Sequence, residues 1–129
     1  MSGKFALLVL VVLVFAAAVA ANKPSGRDYK LVPISAVMIA LYAFTFVLSQ
    51  SGKISPARHR AIWNFMLLAY ALVSCGLGLL LVLRMSYGLV LDLPFNALQI
   101  HVMSGIAMSV VAAFHIGWHL NYFKQALKI

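Results

Sequence analysis

Four long apolar runs, residues 5–22, 31–50, 61–83 and 98–123, constrain this chain more than any other feature. Each meets or approaches the roughly 20 residues that a helix needs to cross a bilayer. In hydrocarbon every backbone N–H and C=O must be paired, which a helix achieves within its own segment. The connections between the runs are short. The expected fold class is therefore all-α, an integral membrane four-helix up-and-down bundle. It forms one transmembrane domain over residues 1–129, with helices over 5–22, 31–50, 59–84 and 98–124. Only 9% of the residues are charged and the mean hydropathy is +1.02, whereas a soluble domain is about a quarter charged. Neither an internal repeat nor a low-complexity tract interrupts the pattern.

The formal charge of +8 invites a nucleic-acid reading, but the basic residues sit at the ends of the runs and not on one face. Nucleic acid is excluded as a partner on that ground. With the N-terminus inside, Lys4, Lys53, Arg58, Arg60, Lys124 and Lys128 fall on one side; Lys23, Arg27, Lys30 and Arg84 fall on the other with Asp28 and Asp92. Six against four favours both termini in the cytoplasm of a multi-pass cell-membrane protein. The first run, with its basic start and small-residue end, also reads as a secretory signal peptide; taken as retained, it is the first helix. Cys75 stands alone mid-span and reads as a packing residue.

All four histidines lie in the second half: His59 at the start of the third run, and His101, His115 and His119 on the fourth. Burying an unpaired polar group in apolar surroundings costs on the order of 2–7 kcal/mol, so ionisable residues within a span are functional candidates. At 3.6 residues per turn the step from 101 to 115 is about four turns, within roughly 40° of alignment, and the step from 101 to 119 is five. Three imidazoles thus share one stripe, with Gly105 and Met108 on it and Gly117 near its edge. Fourteen residues rise about 21 Å, the step by which cytochromes b hold two stacked haems from one helix. Imidazole is a good ligand for haem iron. The plainer reading is that each histidine hydrogen-bonds between helices. Gly76 and Gly78 read as close-packing residues, and Trp63, Trp118, Tyr87 and Tyr122 as aromatic-belt residues near the span ends.

Helix geometry restricts the pairing. If the third and fourth helices are antiparallel with centres near residues 72 and 111, His59 faces about position 124. His119 is then the nearest candidate, about 8 Å away in depth, and His115 is about 14 Å away. The favoured axial pair is His59 with His119. By the same count Gly78 lies opposite Gly105, which brings those helices close, leaves little width for a macrocycle between them and puts a haem on His101 on the outward side of the fourth, at an interface with another chain. A ligand partner for His101 must then come from another subunit, a second copy of this chain or a weaker donor such as Met85. Met66 lies near the depth of His115.

The segments "HRAIWNFMLLAYALVSCGLGLLLVLR", "LPFNALQIH", "SGIAM" and "FHIGWHLNYFK" together resemble the small membrane cytochromes called flavinylation-associated cytochromes. These are relatives of the b-type membrane subunits of hydrogenases and formate dehydrogenases. The resemblance covers roughly residues 53 to 124. It implies one or two non-covalent haem b groups with iron ligands drawn from His59, His101, His115 and His119. The absence of a Cys-x-x-Cys-His sequence agrees with non-covalent attachment. It also implies passage of electrons between a quinone pool or cytoplasmic donor and a redox partner, in company with other membrane or membrane-attached redox subunits. Quinone and a second copy of the chain are further candidate partners. Arg58, Arg60 and Lys124, topology determinants in the first place, suit haem propionates.

Two other functions compete with an electron-transfer subunit. One is a structural membrane subunit of a larger complex without its own cofactor. The other is a transition-metal carrier, since imidazoles suit Zn, Cu or Ni, although such a carrier would be expected to add acidic or further Cys ligands within the spans. No nucleophile–base arrangement is present and both carboxylates lie in loops, so the chain reads as a non-catalytic subunit of an oxidoreductase complex. At a quinol site Asp92 or Arg84 would be the nearest helpers; loop solvation is the plainer role of both.

Overall fold

The computed structural model describes residues 26–128 together with Leu10, Leu13, Val14, Ala16 and Ala17. Apart from those five positions, the expected helix over 5–22 lies outside the described residues. The elements in order are α1 (Leu31–Gln50), α2 (Pro56–Tyr87), α3 (Ala97–Trp118) and the short α4 (Leu120–Ala126), with no strand among the described residues. The first three are long and apolar enough to cross a membrane. The chain divides into two compact units, one of Tyr29–Val111 and another that takes in Ala112–Ile129.

Local chemistry sets the helix ends. α1 closes where Gly52 takes φ 76° and Lys53 N–H reaches back to the Leu48 carbonyl at 3.0 Å. That left-handed residue, which glycine adopts without a Cβ clash, is the usual way a helix stops. α2 opens at once with Ser55 as N-cap, its Oγ accepting from Arg58 N–H at 3.1 Å, and Pro56 in the first turn. Proline is pre-set for that position, so α2 starts three residues before the expected 59. It runs on to Tyr87 because the stop signal is Gly88, again left-handed at φ 69°. α3 is capped by Asn96, whose Oδ1 accepts from Gln99 N–H at 3.1 Å.

The fourth expected helix does not continue to 124. Its regular ladder ends at Trp118; His119 takes φ −103°, ψ 12°, and its N–H bonds to the Ile116 carbonyl at 3.0 Å. That is a tightened i→i−3 closure, with Gly117, a poor helix former, in the same turn.

In unit 29–111 the helices run antiparallel. Trp63 meets Thr45 and Tyr70 meets Met38, seven residues later on α2 and seven earlier on α1. In the same way Ser74 meets Gly105 and Gly78 meets His101, four later on α2 and four earlier on α3. Residues 63, 70, 74 and 78 share one face of α2 at 3.6 per turn, so a single stripe serves α1 in its first half and α3 in its second.

This stripe is where the polar and small residues are. Ser35, His59, Ser74 and Ser104 are buried, whereas Phe65 is 74% exposed, Leu72 66% and Leu79 68%. A soluble monomer rarely leaves a continuous apolar face of that extent open. Helices in lipid do, since chain and solvent are equally apolar and packing with interhelical hydrogen bonds drives their association. Trp63, expected at the membrane surface, is instead 2% exposed and donates its Nε1–H to Thr45 Oγ1 at 2.9 Å. A buried indole needs that acceptor.

Thr45→Val removes the hydroxyl that accepts from Trp63, which should lower the stability of the detergent-purified protein by about 1–2 kcal/mol. Thr45→Ser keeps the oxygen and should cost less. Thermal midpoints followed by tryptophan fluorescence decide it; equal losses for the two variants would refute the role given to this bond.

Candidate functional site

The structure places the four histidines in three different settings. His59, in the first turn of α2, is buried with both ring nitrogens shut off from solvent. Its ring meets Tyr42 edge-on at 5.2 Å between centroids and Phe46 at 6.2 Å; Tyr42 in turn packs edge-on against Trp63 at 5.3 Å. Edge-to-face contacts of this kind are favourable beyond the area they bury. His59 is thus part of an aromatic cluster that ties α1 to α2, while its neighbours Arg58 and Arg60 are exposed.

His101, one turn into α3, lies against α2. Its Nδ1 is 2.7 Å from the carbonyl oxygen of Ser74. A carbonyl only accepts, so Nδ1 carries the proton, and in the neutral ring Nε2 is left with the lone pair. Ser74 Oγ returns a bond to the His101 carbonyl at 3.3 Å, and Ser104 Oγ donates to that same oxygen at 3.0 Å. The ring fits only because residue 78 is glycine: a Cβ there would sit 2.9 Å from His101 Cε1. A Cβ at Gly105 would meet Ser74 Oγ at 3.4 Å. One expectation is corrected here: Gly78 faces His101 and not Gly105, a register one turn away from the antiparallel count. The His101 ring lies between α2 and α3. The imidazole itself takes the space that paired glycines would have closed.

His115 and His119 form the third setting. Their ring centroids are 4.7 Å apart at an interplanar angle of 47°, and His115 also meets Trp118 edge-on at 6.2 Å. The structure brings this pair together across the helix break. Two imidazoles trans on one metal ion, with metal–nitrogen bonds of about 2.0–2.1 Å, would hold their centroids roughly 6 Å apart. As they stand, His115 and His119 are not the two axial ligands of a single iron. His59 and His101 fall in unit 29–111, and His115 and His119 in the other.

Among the described residues no three His, Cys, Asp or Glu side chains gather as a metal-binding group. Of the weaker donors, Met85 is 84% exposed at the end of α2 and Met66 is half-buried in its first half. Sequence reasoning missed Ser74, Thr45, Tyr42 and Phe46. The signal for Ser74 was present: a serine four residues before Gly78 in an apolar run places a polar group and a gap on one helix face.

In class, then, this is a helical chain with three helices long and apolar enough to cross a membrane, and with histidines set along and just beyond them. No known protein family, curated protein or solved structure matches it.

The fit of His101 against Gly78 gives a direct test. Gly78→Ala should push the ring from the Ser74 carbonyl and lower stability by about 1–3 kcal/mol, the range for overpacking a close contact. Gly76→Ala, where a Cβ meets nothing within 4 Å, should be neutral or slightly stabilising, since alanine favours helix. Equal thermal midpoints for the two variants would refute the arrangement.

Proposed function

We propose that this chain is a transmembrane electron-transfer subunit that carries haem b and passes electrons between a quinone pool or cytoplasmic donor and a redox partner. The observation that carries the reading is the hydrogen bond from His101 Nδ1–H to the Ser74 carbonyl. Metal-ligating histidines characteristically donate their other ring N–H to a carbonyl or carboxylate, which fixes the tautomer and raises the basicity of the ligating nitrogen. His101 has that second contact within a helix long and apolar enough to span. A haem supplies four nitrogens from its own ring, so one or two protein imidazoles complete the iron, and a cluster of three donors is unnecessary.

On this reading His101 Nε2 is a ligand at one level. The second ligand pair proposed, from the sequence count, is His59 with His119, with His115 as the alternative partner. The His115–His119 separation supports assigning one of these two, and not both, to a given iron. Arg58 and Arg60, exposed at the start of α2, would pair with propionates. Bound haem supplies a one-electron couple whose potential is tuned by axial ligand, hydrogen bonding and burial. The protein's part is to hold imidazoles at chosen depths in a water-poor span. Both termini are proposed to be cytoplasmic, by the six-to-four basic asymmetry.

A second reading rests on the same bond. His101 and His59 both tie neighbouring helices together, which a structural subunit without a cofactor would also require. The absorption spectrum of the purified protein separates the two. An electron-transfer subunit shows a reduced-minus-oxidised haem b difference; His101→Ala and His119→Ala each remove a substantial part of it while the protein still inserts. A wild-type protein purified with haem supplied and lacking any haem absorbance would sink the proposal in favour of the structural reading.

A further inference from the structure

The connection after α2 is unusually apolar for a loop that leaves a membrane. In "GLVLDLPF" the alternate residues Leu89, Leu91 and Leu93 line a groove whose opposite wall is Leu80, Leu81 and Arg84 of the last turns of α2. The intervening Val90 and Asp92 lie outside that lining, Val90 at 80% exposed against 37–47% for the three leucines. Such period-two alternation is how an extended segment turns one side to a surface. The groove therefore has an apolar floor, one cation and no acid.

Arg84 is the only Lys or Arg between Arg60 and Lys124, and its guanidinium has no ion pair among the described residues. A cation in the last turn of a helix is favoured by the helix dipole, which accounts for the charge. It does not account for three leucines on the adjoining strap. A cation at the end of a span with an apolar trough beside it matches a ligand with an anionic head and a hydrocarbon tail. The groove's enclosed space is only about 10 Å³, far below the roughly 300–1,000 Å³ of pockets that enclose a ring-sized ligand, so it is a shallow trough on the surface. A chain lying across the groove fits it better than an enclosed quinone head.

We propose that this groove binds an anionic phospholipid, with the phosphate on Arg84 and an acyl chain laid along Leu80, Leu81, Leu89, Leu91 and Leu93. The proposal rests on the membrane-spanning reading and is independent of haem.

The test is native mass spectrometry of the protein released from nanodiscs that contain phosphatidylglycerol and phosphatidylcholine in equal amounts with the same acyl chains. Assembly into nanodiscs checks the membrane reading separately, and the ratio of lipids retained by one protein is insensitive to the yield of folded material. Wild type should retain phosphatidylglycerol over phosphatidylcholine by about fivefold, the discrimination expected from one basic residue near an anionic headgroup. Arg84→Gln should bring the ratio close to one. Millimolar inorganic phosphate should leave the lipid in place. Equal retention by wild type, or an unchanged ratio in Arg84→Gln, overturns the site. Full displacement by inorganic phosphate makes it a free-phosphate site, and a dimer that retains neither lipid makes it a contact between copies; either outcome also overturns the proposal.

Discussion

The constraint on which the rest of the structure depends is that three helices long and apolar enough to cross a membrane turn large apolar side chains outward. In water, burying Phe65, Leu72 and Leu79 would be worth roughly 1.5–3 kcal/mol each, yet all three face outward. The face of α2 turned inward carries His59, Trp63, Tyr70, Ser74 and Gly78. Where hydrocarbon replaces water, exposure of a leucine costs little and helix association has to come from other sources. Close approach at glycine and hydrogen bonds between helices are what remain. Among the described residues, Trp63–Thr45 and Tyr70–Met38 join α1 to α2 in this way, and the reciprocal bonds between His101 and Ser74 join α2 to α3.

That inversion explains what could be read from the amino-acid sequence. Composition and run length speak directly to the lipid-facing surface, so α1 coincides with the expected 31–50. The ends of α2 are marked in the sequence too, by Ser55-Pro56 and by Gly88, and both lie beyond the apolar run from which 59–84 is expected. Contacts between helices were harder to read because they depend on the sizes of particular side chains. An antiparallel count from helix centres takes every residue as equal in bulk and pairs Gly78 with Gly105. The real register is set by the imidazole of His101, which needs a missing Cβ opposite it and takes Gly78 for that purpose. Trp63 was misread for a related reason: tryptophans cluster at membrane surfaces in general, and only the presence of Thr45 on the neighbouring helix makes this one an interior residue. The break at His119 had a single faint signal in Gly117, inside a run whose hydrophobicity gives no reason to stop.

The histidines show how far one stripe on a helical wheel can carry an inference. On the wheel His101, His115 and His119 are equivalent. In the structure one is fixed by a carbonyl of the adjacent helix, one stacks on its neighbour and one sits at a helix break. Their chemistry differs accordingly. His101 has a defined tautomer and a supported ring, the condition for a ligand that holds its orientation through oxidation and reduction. His119, outside the regular ladder, is free of the helical repeat and its ring direction is set by local backbone angles.

The interhelical latch and the metal ligand are often posed as rival explanations of a membrane histidine, but at His101 they draw on different atoms. The latch uses Nδ1–H, the Ser74 carbonyl and the space above Gly78. Ligation would use only the Nε2 lone pair. Holding the first in place strengthens the second, because a ring whose N–H is committed to a carbonyl is a better donor at its other nitrogen and spends less conformational freedom on binding. Ser74 gives up little in return: its carbonyl still belongs to the helix ladder, and a carbonyl oxygen has two lone pairs. The sequence therefore needs no additional polar residue in the span to support a ligand there. Helix packing already provides that support, so on the proposed reading one hydrogen bond would serve both purposes without another polar group among the apolar side chains.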